Sequence, residues 1–170
     1  RRLVSRALRV TPNIPPLPLV QKAFEQIAMA KVSASALEAR EMGYLEEDDR
    51  VVMNPDHLLS AAKREVHDLA DGYAPPEHGK NVYAVGKTTR AALEVGVRTL
   101  QWGRYASEYD GVIAGHLARV LTGGDLGQPQ WVSEEYVLNL EKEAFLKLLE
   151  NEKTHERIGG LLKTGKPVRN

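Results

Sequence analysis

The stretch Ala23–Leu45 reads AFEQIAMAKVSASALEAREMGYL and carries the strongest local signals in the chain. Its first part belongs to a helix that we predict over about 19–30, because apolar residues recur there at helical spacing. Ser35 and Glu38 have the spacing of a capping box, which predicts a second, short helix. Gly43 should end that helix. The stretch therefore predicts two helices joined by a short connection.

The flanking sequence continues this helical pattern. The opening RRLVSRALRV places arginines on one face and apolar residues on the other, which predicts a basic amphipathic helix. The next residues, TPNIPPLP at 11–18, contain four prolines and should form a non-helical linker. Further helices are predicted over 54–71, from 88 to 121 with a break near 103–107 or 111, over 133–150 and over 154–164. Their caps would be Asn54, Thr88 or Thr89, Ser133 and Thr154.

Extended structure is expected in two places, 50–53 and 82–85, while 125–131 should be a loop. The helix over 54–71 has an apolar face that should be buried, formed by Leu58, Leu59, Ala62, Val66 and Leu69. Gly123 and Gly124 should close the long helical region. Residues 1–170 are thus predicted to form a single, mainly α domain with one or two short strands. Within it, 1–18 are the basic helix and proline-rich linker, and 19–170 are the helical body.

Composition excludes several classes of function. Lys plus Arg and Asp plus Glu each number 23, so no net charge attracts nucleic acid or an anionic membrane. Cysteine is absent, which excludes disulfides and thiol nucleophiles and fits a reducing cytoplasm. No apolar run reaches the roughly 18 residues that a transmembrane helix needs. The 42% of hydrophobic residues is enough for a globular core.

Candidate chemical motifs are weak. Gly86-Lys87-Thr88 lacks the earlier glycine of a phosphate-binding loop, so helix capping is the better interpretation. The five histidines show no metal-binding spacing, and the acidic run at 46–49 lacks the glycine of a calcium loop. We therefore predict no metal site and no catalytic residue in this chain. Trp102, Tyr105 and Tyr109 form an aromatic stripe at helical spacing, which is more typical of a core or an oligomer contact than of a stacking platform for adenine.

Three segments resemble the crotonase (enoyl-CoA hydratase) superfamily. The first runs from SALEAREMGYL through RVVMNPDHLLSAAKREVHDLA, with Ala39, Gly43 and Leu45 in place of the usual A-x-x-x-G-L-V. The second, LTGGDLGQPQWVSEEYVLNLEKEAFLKLL, and the third, THERIGGLLKTGKPVRN, are similar to bacterial 3-hydroxyacyl-CoA dehydrogenases that carry a crotonase-like region at their C-terminal end. The resemblance covers most of the chain and implies the helical C-terminal part of a crotonase-like fold.

The resemblance also implies a function. A parent enzyme of fatty-acid β-oxidation would oxidise 3-hydroxyacyl-CoA with NAD in the cytoplasm, and could also hydrate enoyl-CoA. This segment would contribute oligomer contacts and one side of the acyl-CoA site, would bind no cofactor itself and would be inactive alone. Its partners would be the rest of the parent chain, further copies and the acyl-CoA substrate. Lys163 and Lys166 align with positions that can meet coenzyme A phosphates, and an exposed tail without a ligand is the alternative for them.

A function of another class stays open. The chain could be a stand-alone helical protein-interaction module with no enzymatic parent. The coding sequence upstream of Arg1 would distinguish the two, because a dinucleotide-binding G-x-G-x-x-G fingerprint there favours the dehydrogenase.

Overall fold

A computed structural model describes residues 16–75 and 82–170, so the predicted opening helix lies outside the described residues. In chain order the described elements are α1 (Pro16–Ala28), α2 (Ala36–Glu41), a 3-10 turn (Pro55–His57), α3 (Leu58–Ala70), β1 (Val82–Ala84), α4 (Gly86–Trp102), α5 (Glu108–Thr122), β2 (Gln130–Val132), α6 (Glu134–Leu149) and α7 (Glu152–Thr164). The described residues confirm the prediction of a mainly α chain with one or two short strands. No helix among these elements has the length and apolar character to cross a membrane.

Two compact units divide the chain. Among the described residues, unit one comprises 16–31 and 82–170, and unit two comprises 32–75. The prediction that 1–170 form a single domain stays a prediction.

The core of unit one lies where α1, α4 and α5 meet. It is a cluster of buried side chains supplied by α1, α4, α5 and the residue before α4: Val20, Phe24, Val85, Leu93, Val97, Ala114 and Ala118. Small residues on α5 let the helices approach closely, and Ala118 is fully buried. Partly buried Leu117 and Leu121 extend this cluster outward along α5. One face of α5 therefore packs in the core of unit one, and Leu117 and Leu121 lie at the edge of that core.

Glycines and caps fix how α5 begins and ends. Ser107 accepts a hydrogen bond from the Asp110 N–H, and the Asp110 carboxylate accepts one from the Ser107 N–H, which completes a capping box. At the other end Gly123 has φ +91°, a left-handed conformation that favours glycine. The chain then passes to β2, which pairs antiparallel with β1, with Tyr83 opposite Trp131. The predicted closure at Gly123 is confirmed.

Gly123 gives a testable prediction about this junction. A Cβ added at Gly123 would overlap the Cβ of Ala84 on β1, and the positive φ would strain any L-residue. We expect Gly123→Ala to lower the free energy of unfolding by about 1–3 kcal/mol, measured by thermal and urea unfolding. Gly115→Ala is the matched control, because Gly115 lies on the same helix with nothing within 4 Å of its added Cβ. It should be neutral or stabilise by up to about 1 kcal/mol, and a loss as large as that of Gly123→Ala would contradict the argument.

Local hydrogen bonds stabilise the start of α2 and the acidic turn in unit two. Ser35 accepts from the Glu38 N–H, and Glu38 accepts from the Ala34 N–H, so the predicted cap of α2 is confirmed. The guanidinium of Arg40 donates to the carbonyl oxygens of Glu47 and Asp49, at 3.1 and 2.7 Å. Residues 46–49 of the acidic turn are exposed, and the Arg40 side chain holds two of their backbone carbonyl groups.

The apolar face predicted on the helix over 54–71 is not buried. Asn54 caps the 3-10 turn as expected, but the buried residue of α3 is Ala61. All five residues that were predicted to be buried are exposed: Leu58, Leu59, Ala62, Val66 and Leu69. The prediction was wrong because helical periodicity shows which face is apolar, whereas burial also requires a surface to pack against.

Several local predictions were also wrong. The strand over 50–53 is absent from the described residues of unit two. Residues 130–131, predicted as loop, lie in β2, because they pair with β1. The linker over 11–18 is helical from Pro16 onward, since prolines are tolerated in the first turn of a helix.

The caps of two helices were misassigned. α4 begins at Gly86 without a side-chain cap, so neither Thr88 nor Thr89 fills that role. α7 is capped by Asn151, because its side chain accepts from the Lys153 N–H. Thr154 is instead buried and its hydroxyl hydrogen-bonds to the hydroxyl of Tyr109. In α7 a nearby side chain takes the capping role, whereas α4 begins without any side-chain cap.

The three residues of the predicted aromatic stripe differ in burial. Tyr109 is buried, as predicted for a core residue. Trp102 and Tyr105 are exposed, so the core interpretation was wrong for them. Their role in an oligomer contact stays a prediction.

Candidate functional site

An apolar groove of about 780 Å³ opens on the surface of unit one. Its walls come from α5 and α6, with the end of α1, one residue of β1 and one residue of α7. The apolar lining consists of Ile27, Ala28, Val82, Ile113, Ala114, Leu117, Val120, Leu121, Val137, Leu138, Ala144, Phe145 and Leu148. A cavity of this size and character is typical of small-molecule sites.

The antiparallel packing of α5 and α6 creates this groove. The hydroxyl of Tyr136, near the start of α6, donates to the carbonyl oxygen of Gly123 at 3.0 Å. Farther along, Arg119 donates to Glu143 at 3.2 Å. The part of α5 from Asp110 to Leu121 borders the groove and spans about 16 Å along the helix axis. The groove therefore follows about three turns of α5, with apolar side chains at helical spacing on both sides.

An ion pair closes the end of the groove nearest the start of α5. The Nη1 atom of Arg157 donates to the Oδ1 atom of Asp110 at 2.7 Å, and both residues line the groove. Their side chains are only 18% and 27% exposed, respectively. The guanidinium also lies over the ring of Tyr109, with its carbon 5.2 Å from the ring centroid. This end of the groove is thus polar but electrically neutral.

The local contacts hold Asp110 in its ionised form. Burial raises the pKa of its carboxyl, but the hydrogen bonds from the Ser107 N–H, from Arg157 and from the Ser107 hydroxyl together outweigh burial. The pKa of Asp110 therefore lies below its ordinary value of 3.8. At neutral pH the carboxylate is charged and is matched by Arg157.

The groove lining also includes the acidic residues Glu134 and Glu141 and the titratable residue His116. Burial is the largest cause that lowers its pKa below 6.5, and the positive charges of Lys147 and Arg119 lower it further, against the opposing effect of Glu143. The imidazole is neutral at pH 7 and adds no charge to the apolar wall. Among the described residues, no group of three or more His, Asp or Glu side chains has the geometry of a metal site.

Lys163 and Lys166 lie apart from the lining of the groove. Lys163 is in the last turn of α7 and Lys166 follows it, and both are exposed. Neither lines the groove, so the structure does not bring these two predicted site residues together with it. Their contact with coenzyme A stays a prediction.

Sequence reasoning missed the ion pair that closes the groove. The spacing of Ser107 and Asp110 is a local capping signal that could have been found. Arg157 is 47 residues from Asp110 along the chain and has no local signature that reveals its partner. The groove itself depends on the same tertiary packing.

Comparison with known proteins gives one informative likeness. No family model matches the chain, and no solved structure matches it. The chain is 46% identical over 156 residues to a probable 3-hydroxyacyl-CoA dehydrogenase of Bacillus subtilis (strain 168). The aligned region covers 91% of this chain and 20% of the relative, so the chain spans about a fifth of the length of that curated dehydrogenase.

Proposed function

We propose that this chain is a segment of a 3-hydroxyacyl-CoA dehydrogenase, an oxidoreductase of fatty-acid metabolism. The supporting observation is the 46% identity to a probable enzyme of that name, sustained over 91% of the chain. The parent polypeptide would use NAD and a CoA thioester in the cytoplasm. Its crotonase-like region would be the helical part to which this chain belongs.

The role of the segment would be to form one wall of the site for the acyl chain. An acyl chain is long and apolar, and the groove between α5 and α6 is lined mainly by apolar side chains along about three turns of α5. The charges at its polar end are matched, because Arg157 pairs with Asp110. Burial of an apolar chain gains roughly 0.8 kcal/mol for each methylene, so the groove would favour longer chains over shorter ones.

The exposed apolar side chains support contacts with further polypeptide. On α3 the exposed stripe includes Leu58, Leu59, Val66 and Leu69. Contiguous apolar surface is typical of interaction sites. The remainder of the parent chain and other copies in a homo-oligomer are the partners that this proposal assigns to it. Lys163 and Lys166 would meet the phosphates of coenzyme A, because they are exposed and positively charged.

The same stripe favours the alternative, a stand-alone helical interaction module. In that case α3 would bind an unrelated protein, and the reading frame upstream of Arg1 would encode no dinucleotide-binding fingerprint. The dehydrogenase is preferred because the module leaves the likeness to a fifth of a dehydrogenase unexplained.

Binding of a fatty-acid probe tests the role of the groove. Two leucines of α6 have similar exposure, 56% for Leu138 and 53% for Leu146. Leu138 lines the groove, whereas Leu146 lies outside it. We expect cis-parinaric acid to increase in fluorescence on binding the 170-residue chain. Leu138→Lys should weaken that binding about tenfold, because a lysine replaces apolar surface at the site.

The matched control is Leu146→Lys, which introduces the same charge at similar exposure. It should leave the affinity for cis-parinaric acid within about twofold, since no contact with the groove is lost. Equal weakening by both variants, or no binding by the unmodified chain, would contradict an acyl-binding groove.

A further inference from the structure

Residues 165–170 fold back along α7. Gly165 ends the helix with φ +68°, and the chain then reverses direction. Val168 packs against Gly160, where an added Cβ would overlap the Val168 side chain. The segment therefore packs against α7 at a defined position.

Asn170 makes the most extensive contacts of this segment. Its Oδ1 atom accepts from the Nε–H of Arg157 at 2.7 Å, and its backbone oxygen accepts from Nη2 of Arg157 at 3.2 Å. The same backbone oxygen accepts from the Ser107 hydroxyl at 3.2 Å. The Nδ2 atom donates to the Lys153 carbonyl oxygen and to the Glu156 carboxylate. The side chain of Asn170 thus contacts α7, and its backbone oxygen contacts the cap of α5.

These contacts divide the guanidinium of Arg157 between two partners. The Nε and Nη2 atoms face Asn170, while Nη1 faces Asp110. Arginine is a rigid planar fork, so acceptors that hold one edge also determine where the other edge points. The edge toward Asp110 is the one that closes the groove.

We propose that Asn170 is a positioning residue that fixes Arg157 against Asp110 and thereby determines how the groove ends. With Asn170 in place, the groove ends in a neutral ion pair. Without the side chain, Nε–H loses its acceptor, and the guanidinium keeps only its contacts with Asp110, with the Asn170 backbone oxygen and with the ring of Tyr109. The orientation of the cation beside Asp110 is then fixed less firmly. The clasp formed by Asn170 and Arg157 does not depend on which ligand the groove takes.

The Nε–H resonance of Arg157 in the full 170-residue chain reports this clasp directly. Hydrogen exchange of that proton should be slow in the unmodified chain and at least about tenfold faster in Asn170→Ala, because a hydrogen bond to a charged group is lost. Asn170→Asp keeps an acceptor for Nε–H and should retain the slow exchange. Arg169→Ala, which removes an exposed neighbour in the same segment, is the control and should leave the exchange unchanged.

A double-mutant cycle separates positioning from simple attachment of the segment. If Asn170 acts through Arg157, the drop in melting temperature caused by Asn170→Ala should shrink to less than about half when Arg157 is already methionine. Unchanged Nε–H exchange in Asn170→Ala, or fully additive losses in the cycle, would overturn the proposal. Failure of the fatty-acid probe to bind would count against the groove's ligand but not against this clasp.

Discussion

Replacing Phe24 with alanine should lower the free energy of unfolding by about 3–5 kcal/mol, the largest loss expected for a single substitution in this chain. Phe24 is 6% exposed and belongs to the core cluster in which α1 meets α4 and α5. Its removal costs the transfer free energy of the ring and leaves a cavity that rigid helices fill only in part. A domain of this size has a total stability of about 5–15 kcal/mol, so the variant should be close to unfolding at 37 °C.

The control for this substitution is Leu17→Ala on the same helix. Leu17 is 37% exposed and lies outside the core cluster, so its loss should be below about 1 kcal/mol. Urea unfolding followed by circular dichroism measures both variants. Equal losses would show that α1 is not held by the packing of Phe24.

Breaking the ion pair at the end of the groove should give the second large effect. Arg157→Met keeps an apolar stem but removes the charge that balances Asp110, and we expect a loss of about 1–3 kcal/mol at neutral pH. The value lies below that of a fully buried pair, because water still reaches both side chains. Lys153→Met is the control, since it removes a cation near the same tyrosine without touching Asp110. It should cost less than about 0.5 kcal/mol.

The same pair predicts a dependence on pH. The pKa of Asp110 is lower in the folded chain than its ordinary value of 3.8, so the ionised carboxylate favours folding. Its stabilising contribution is complete above that ordinary value and is lost as the pH falls through the lower, folded value. Asp110→Asn should therefore be less stable than the unmodified chain at about pH 6, and the difference should shrink below pH 3.8. A difference that stays constant through this acid range would contradict the assignment.

Local sequence signals predicted local structure well in this chain. Ser35, Asn54 and Ser133 were correctly identified as caps, because a cap depends on side chains and N–H groups within a few residues. The break after α4 was also predicted, since Gly103 lies just past its end. The error at Thr154 concerns a competing side chain within one turn, Asn151, whereas the error at Thr88 arose because α4 begins without any side-chain cap.

Tertiary features could not be predicted in the same way. The stripe on α3 was correctly recognised as apolar, but sequence periodicity carries no information about the surface that would cover it. The pair of Asp110 and Arg157 depends on the packing of α5 against α7, elements separated along the chain by α6. The groove and the contacts of Asn170 follow from that packing. Lys163 and Lys166 were selected by resemblance, and their positions away from the groove could be seen only in the fold.

The most direct test of the proposed function is the rate of NAD reduction by the complete polypeptide that the gene encodes, assayed with long-chain and short-chain 3-hydroxyacyl-CoA. We expect activity in that polypeptide and none in the 170-residue chain, which should also hydrate no crotonyl-CoA. Leu138→Lys should raise KM for the long-chain substrate at least about tenfold and leave KM for the short-chain substrate within about twofold. The control, Leu146→Lys, should change neither KM value. A complete polypeptide that reduces no NAD, or a Leu138→Lys variant that affects both substrates equally, would contradict it.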